Sequence, residues 1–132
     1  LIAFDTNVIV RLLVQDDPSQ AAEAERLLRG AADAGETVFL SGPVLCEIVW
    51  VLRSQYKASR AEIASALESL LHNSLFDFDD RALSQSALDA YRRTRADFAD
   101  FLIGFKARAQ GARTTYSFDG GLVGEAGFTV LT

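Results

Sequence analysis

The chain has 132 residues, with 13 Lys and Arg against 18 Asp and Glu, for a net charge of −5. Its 49% hydrophobic and 23% charged content is that of an ordinary globular protein and excludes a disordered or collagen-like one. One Cys and one His exclude an internal disulfide and a Cys/His zinc cage, and an acidic chain should repel nucleic acid at long range.

Read in order, the elements alternate. Leu1 to Phe4 is a short apolar run ending at Asp5, as in a buried strand, and Thr6 to Leu13 reads as a short helix. Ser19 to Ala34 is an amphipathic helix with Ala24, Leu27, Leu28 and Ala31 on one face. Thr37 to Leu40 is a second buried strand. Ser41-Gly42-Pro43 then starts a helix that is apolar nearly all round, through Val44, Leu45, Ile48, Val49, Trp50, Val51 and Leu52. Such a helix meets core on several sides, or core plus a partner. Ser59 and Glu62 are spaced as a capping box for a helix to Leu71. Leu75 to Phe78 is a third strand, followed by helices from about Asp80 to Arg93 and from Asp97 to Ala109. Thr114 to Phe118 and Phe128 to Leu131 are the last strands, joined by a glycine-rich turn. Strands separated by helices need crossover connections, which predicts the α/β class with a mainly parallel sheet. A single domain over residues 1–132 follows, burying roughly two-thirds of its unfolded surface.

Open parallel sheets bind ligands beyond the carboxyl ends of their strands, and several acids fall there. Asp5 follows the first strand, and Glu47 lies one turn past Pro43 after the second. Asp119 follows the Thr114–Phe118 strand. Asp97 and Asp100 stand three apart at a helix start and so share a face. Most have apolar sequence neighbours: Phe4 and Val8, Leu45 and Ile48, Phe98 and Phe101. Isolated ionised carboxylates in such company would be costly, so acids converging there need a cation. Oxygen-only donors suit Mg²⁺ or Mn²⁺, and such metals activate water and stabilise phosphoryl charge. Metal-dependent phosphodiester hydrolysis is the reaction class this suggests.

Plainer roles compete. Asp97 is a good N-cap with Asp100 at N3, and Asp119 before Gly120 is an ordinary turn signal. Glu47 between Cys46 and Ile48 is poorly explained as solvated surface. Thr6 and Asn7 can cap the following helix, or Asn7 can hold a bound water or Asp5 itself. Ser117, sharing a strand face with Asp119, can do the same. Asp16, Asp17, Asp77, Asp79 and Asp80 read as turns and caps, His72 lacks triad partners, and Cys46 reads as a buried small hydrophobe. Arg92, Arg93 and Arg95 are either a solvated helix end or a phosphate contact.

Four segments together resemble the PIN-domain family, and within it the VapC-type toxins of bacterial toxin–antitoxin pairs. They are Asp5-Thr6-Asn7-Val8, the Val44–Leu52 helix with Glu47, Ala96-Asp97-Phe98-Ala99-Asp100-Phe101-Leu102-Ile103, and Ser117-Phe118-Asp119. The resemblance covers essentially the whole chain. It implies a three-layer α/β/α fold and a Mg²⁺- or Mn²⁺-dependent ribonuclease, with Asp5, Glu47, Asp100 and Asp119 matching the acidic quartet as metal ligands. Asp97 matches a further acid, and Thr6, Asn7 and Ser117 are supporting polar groups. It also implies an RNA substrate, a homodimer and a cognate VapB-type antitoxin. Ser117 stands where Thr is common and Gly104 where Ala is common. The chain begins at Leu1 rather than Met, as a slightly trimmed chain would. No apolar run reaches the ~20 residues of a membrane span and no charged signal-peptide lead is present, so a reducing cytoplasm and no membrane are expected.

Two rivals remain. Phosphatases with a nucleophilic Asp resemble an Asp-x-Asp start and use a late Lys, whereas Asn7 takes the third position and the only lysines are Lys57 and Lys106. A degenerate PIN-fold binding module would have lost an acid, and none of the four is lost.

Overall fold

A computed structural model describes residues 1–132. The chain forms two compact units, Leu1–Arg81 and Ala82–Thr132.

In the first unit the order is β1 (Ile2–Ala3), α1 (Thr6–Val14), α2 (Pro18–Asp33), β2 (Val38–Leu40), α3 (Gly42–Ser54), α4 (Arg60–Leu71) and β3 (Phe76–Phe78). The strands make one sheet in the order β1-β2-β3, with Ile2 opposite Val38 and Val38 opposite Phe76, both ladders parallel. Parallel neighbours cannot be joined by a tight turn, which is why a helix pair fills each connection. Asp5, Asp17, Ser41 and Ser59 cap the four helices, accepting from the N–H groups of Val8, Gln20, Val44 and Glu62. Pro18 and Pro43 sit in first turns, where a missing N–H removes no helical bond. Ile9, Val38, Leu40, Ile48, Ile63 and Leu67 are fully buried and form the core, with α1 packed on α2 and α3, and α3 on α4.

Two contacts tie β3 in place. The Gly42 N–H at the start of α3 donates to the Asp79 carboxylate at 2.9 Å. Arg81 donates to the Leu71 and Phe76 carbonyls and lies over the Phe78 ring, 4.7 Å from its centroid. The capping box of α4 is complete, with Ser59 Oγ accepting from the Glu62 N–H at 3.1 Å and Glu62 accepting from the Ser59 N–H at 2.9 Å. Ser59→Ala should therefore cost about 1 kcal/mol of stability, read as a lower urea midpoint with an unchanged slope. No change in midpoint would mean that α4 is held by packing alone.

The second unit holds α5 (Arg81–Arg93, beginning at the last residue of the first unit), α6 (Phe98–Ala109), β4 (Thr115–Ser117), a 3₁₀ turn (Gly120–Leu122) and β5 (Phe128–Val130). β4 and β5 pair in parallel, Thr115 opposite Phe128, so the glycine-rich segment is a short crossover carrying the 3₁₀ turn. Gly124 and Gly127 take φ of 81° and 88° there, the left-handed region open to glycine. Phe101 packs edge-on against Phe128, and Tyr91 edge-on against Phe98. The elements are those expected from the sequence, with strands of two or three residues, shorter than the apolar runs that announced them. The class is α/β, and every ladder is parallel.

Candidate active site

The acids are placed by the starts of helices and turns. In the second unit Asp97 takes the N-cap of α6 with extended backbone. Asp100, three residues on, turns its carboxylate back to accept from the Asp97 N–H at 3.3 Å. Asp119 follows β4 and begins the 3₁₀ turn, accepting from the Gly121 N–H at 2.8 Å. The Asp119 N–H in turn donates to Ser117 Oγ at 3.0 Å, so Ser117 fixes the backbone that carries the acid. A Cβ on Gly121 would stand 3.1 Å from Asp119 Oδ1, so a larger residue there would make the carboxylate shift by a few tenths of an ångström.

These acids meet. The pKa of Asp100 is raised above the ordinary carboxylate value, chiefly by burial. The Asp97 N–H opposes the shift, while a side-chain hydrogen bond with Asp119 and repulsion from Asp119 and Asp97 add to it. A carboxyl pair in hydrogen-bonding contact must share either a proton or a cation.

In the first unit Asp5 follows β1 and is the N-cap of α1, accepting from the Val8 N–H at a long 3.4 Å. The cap is therefore Asp5, not Thr6 or Asn7. Thr6 is buried in the first helical position and Asn7 exposed in the second. Asp5 and Asn7 line a cleft of about 340 Å³ with Arg11, Gln20 and Glu23. Arg11 is held there by Gln20, Asp16 and Tyr56. Glu47 lies in the second turn of α3 and is exposed.

That exposure corrects the sequence reading of Glu47. Its neighbours Cys46 and Ile48 are about 100° away around the helix, so apolar residues beside it in sequence do not surround it in space. Of the residues three and four positions away, Pro43 and Trp50 are exposed, Val44 is half-buried and Val51 is buried. For the same reason α3 is open along one stripe instead of buried all round, and Cys46 is half-buried instead of fully enclosed. Asp5 and Asp119 are also exposed, so the desolvation argument for a cation holds for Asp100 and not for these three.

The oxygen-only donor set suits a hard divalent cation, and the Asp100–Asp119 pair is where one would relieve repulsion. Within neither unit do three or more His, Cys, Asp or Glu side chains gather as a ready-made cage. The structure thus pairs Asp100 with Asp119 and with the Asp97 N–H, while Asp5 and Glu47 belong to the other unit.

The remaining polar residues mostly keep structural roles. Asp17 caps α2, Asp77 accepts from the Thr37 hydroxyl, and His72 pairs with Glu68 at 3.0 Å. Arg93 pairs with Glu125 at 3.0 Å. One residue escaped the sequence reading. Phe118, read as the last residue of a strand, lies beyond β4 and is 77% exposed. An aromatic at a strand end gives no signal that separates these cases. No helix is long and apolar enough to cross a membrane.

Comparison with known proteins adds the family. The chain is 26% identical over 114 residues to the VapC ribonuclease of Aquifex aeolicus (strain VF5), covering 86% of this chain and 84% of that one. No solved structure matches it significantly. The PIN domain family model matches residues 2–123, across both units and all five acids. With acids at the strand ends and helix starts where that match runs, the chain belongs to the PIN domain family.

Proposed function

We propose that this protein is a metal-dependent endoribonuclease and the toxin of a toxin–antitoxin pair. The observation that carries this reading is the Asp100–Asp119 carboxyl pair, with the Asp100 pKa raised by burial and by the hydrogen bond and charge of Asp119. Membership in the PIN family and likeness to a VapC ribonuclease support it.

Asp5, Glu47, Asp100 and Asp119 would hold Mg²⁺ or Mn²⁺, with Asp97 as an additional acid. When bound, the cation supplies Lewis acidity that activates water for attack on an RNA phosphodiester and steadies the leaving oxygen. The chain's own residues prepare the ligands. The Asp97 N–H holds the Asp100 carboxylate in its turned-back rotamer, Ser117 fixes the Asp119 backbone, and the Gly121 N–H orients the Asp119 carboxylate. Thr6 and Asn7 flank Asp5 as supporting polar groups, and Asn7 lines the same cleft. Exposed Arg92, Arg93 and Arg95, just before Asp97, offer phosphate contacts that position RNA without reading its sequence. The net charge of −5 then disfavours indiscriminate polyanion binding, while bound cations reverse the local field at the acids.

The reading extends to a VapB-type antitoxin, a homodimer and a cytoplasmic location. Trp50, 56% exposed on the open stripe of α3, supports a protein contact there, since Trp is enriched at interface hot spots.

The test incubates purified protein with a panel of structured RNAs in Mg²⁺, Mn²⁺ or chelator. Wild type should cut only with metal, and Asp5→Asn should cut about a hundredfold more slowly or worse, the scale of losing one charge-stabilising group. Equal cleavage by both proteins, or cleavage indifferent to chelator, would sink the mechanism. RNA binding without cleavage, and without growth arrest on expression, would favour a PIN-fold binding module.

A further inference from the structure

The two segments that carry the acids of the second unit are also tied together away from those acids. Asp97 and Asp100 begin α6, after the short link from α5, and Asp119 opens the crossover from β4 to β5. Arg93, the last residue of α5, meets Glu125 of that crossover at 3.0 Å, across 32 positions of the chain. Their side chains are 62% and 20% exposed, so the carboxylate is mostly enclosed and the guanidinium reaches it from solvent. Glu125 is firmly joined to Asp119. The carbonyls of Asp119, Leu122 and Glu125 accept in turn from the N–H groups of Leu122, Glu125 and Phe128, at 3.1, 3.0 and 3.2 Å. On the other side Ala96 is buried, and a Cβ placed on Gly121 would stand 3.6 Å from its Cα and Cβ. Asp97 follows, with its N–H on the Asp100 carboxylate. Link and crossover therefore meet through Ala96 with Gly121, through Arg93 with Glu125, and through Asp100 with Asp119.

One of these three contacts is repulsive. With no cation between them, Asp100 and Asp119 push apart once both are ionised, and an opposite-charge pair bridging the same two segments resists that separation. We infer that Arg93 and Glu125 are positioning residues of the metal site: their ion pair holds the Asp119 crossover against the start of α6, keeping Asp100 and Asp119 gathered before a cation arrives. This rests on the metal-dependent reading of the site and adds a support that touches no ligand. A cation that binds only the gathered arrangement has its apparent Kd raised as the gathered fraction falls. Exposed ion pairs are weak, which sets the expected change at a few-fold. Charge alone predicts the opposite sign, since removing a cation near the acids should tighten a divalent ion. The competing role for Arg93 is phosphate contact, shared with Arg92 and Arg95, and the test separates the two.

The experiment measures Mn²⁺ binding to the RNA-free protein, from the loss of the free-ion electron paramagnetic resonance signal. It compares wild type, Arg93→Gln, Arg93→Glu and the exchange of Arg93→Glu with Glu125→Arg. Each protein is then assayed for kcat and KM on one RNA at limiting and at saturating Mn²⁺. Arg93→Gln should weaken Mn²⁺ about two- to fivefold. Arg93→Glu should weaken it about tenfold, because the new carboxylate also repels Glu125. The exchanged pair should return to within about twofold of wild type, as a restored interaction does. At saturating Mn²⁺ the RNA KM of Arg93→Gln should match wild type and its kcat should recover, since the ion then gathers the acids. An Mn²⁺ affinity unchanged or tighter in Arg93→Gln overturns the inference, and a raised RNA KM beside it assigns Arg93 to phosphate. An exchanged pair no better than Arg93→Glu overturns it as well. A wild type that binds Mn²⁺ yet cuts no RNA overturns the ribonuclease reading and leaves this inference to the binding data. A wild type that binds no Mn²⁺ overturns both.

Discussion

Asp100→Asn is expected to abolish metal-dependent RNA cleavage while leaving the metal-free protein at least as stable at neutral pH as its parent. The two halves have one cause. Asp100 is half-buried beside Asp119, and its pKa is raised by that burial and by the hydrogen bond and charge of Asp119. Asparagine keeps an oxygen that can accept the Asp97 N–H and removes the charge that the fold tolerates poorly. The sign of the pH dependence follows. Because the folded pKa lies above the unfolded one, the folded protein retains a proton where the unfolded chain has released it. The destabilisation is absent below the ordinary carboxylate range, grows as pH rises through it, and is complete above the raised pKa. The metal-free parent should therefore lose stability relative to Asp100→Asn as pH rises from the ordinary carboxylate range through the raised pKa. Urea midpoints of both proteins across that range check this. Added Mn²⁺ should reverse the order, since a ligand at a hundred times its Kd stabilises by about 2.7 kcal/mol, and the variant should gain much less. If metal protected both proteins equally, Asp100 would not be a ligand. If the metal-free variant were the less stable at neutral pH, the Asp100–Asp119 repulsion would not matter to the fold.

Gly104→Ala should be destabilising although alanine is the better helix former. Gly104 lies inside α6, where alanine would ordinarily add about 1 kcal/mol. A Cβ there would stand 2.6 Å from Phe128 Cε1 and closer still to Cζ, and Phe101 packs edge-on against the same ring at 5.9 Å between centroids. The ring has little freedom to retreat. Overpacking of this kind costs about 1–3 kcal/mol, which outweighs the propensity gain, and the melting temperature should fall by several degrees. Phe128→Leu opens the space, so Gly104→Ala should cost less in that background, with a coupling of about 1 kcal/mol or more. A Gly104→Ala protein as stable as its parent would show that α6 and β5 can slide apart freely. The departure from the Ala common at this position in the resembled family thus has a partner: glycine on α6 accommodates phenylalanine on β5.

Most of the fold was legible because its signals are local. Ser59 and Glu62 announce the start of α4, Pro18 and Pro43 mark first turns, and the apolar runs around Val38 and Phe76 are the paired strands of the first sheet. The site was legible in its residues more than in its surroundings. Apolar sequence neighbours suggested that Glu47 is enclosed, yet on a helix the adjacent positions face elsewhere, and exposed Pro43 and Trp50 are among the residues three and four positions away. The sequence offered Asp5 as a strand end and Thr6 or Asn7 as the helix cap, yet Asp5 both follows β1 and caps α1. Its capping of α1 leaves Thr6 inside the helix. The Asp100–Asp119 contact could not be read at all, because it joins residues from a helix start and a strand end through tertiary packing. Phe118 was missed for a different reason: a strand-end phenylalanine carries the same pattern whether it is buried or bare.

The all-parallel pairing of the strands also bears on how the chain reaches its native state. Ile2 finds its partner only at Val38, and Val38 finds its second only at Phe76, so no strand can zip onto the next by a local hairpin. Each ladder of the first sheet waits for an intervening pair of helices, and the loop-closure entropy falls due before the hydrogen bonds that reward it. While the chain is being synthesised, β1 emerges early and stays unpaired until α1, α2 and β2 have followed. Refolding should then be slow for a chain of this length, limited by the search for distant partners and not by helix formation.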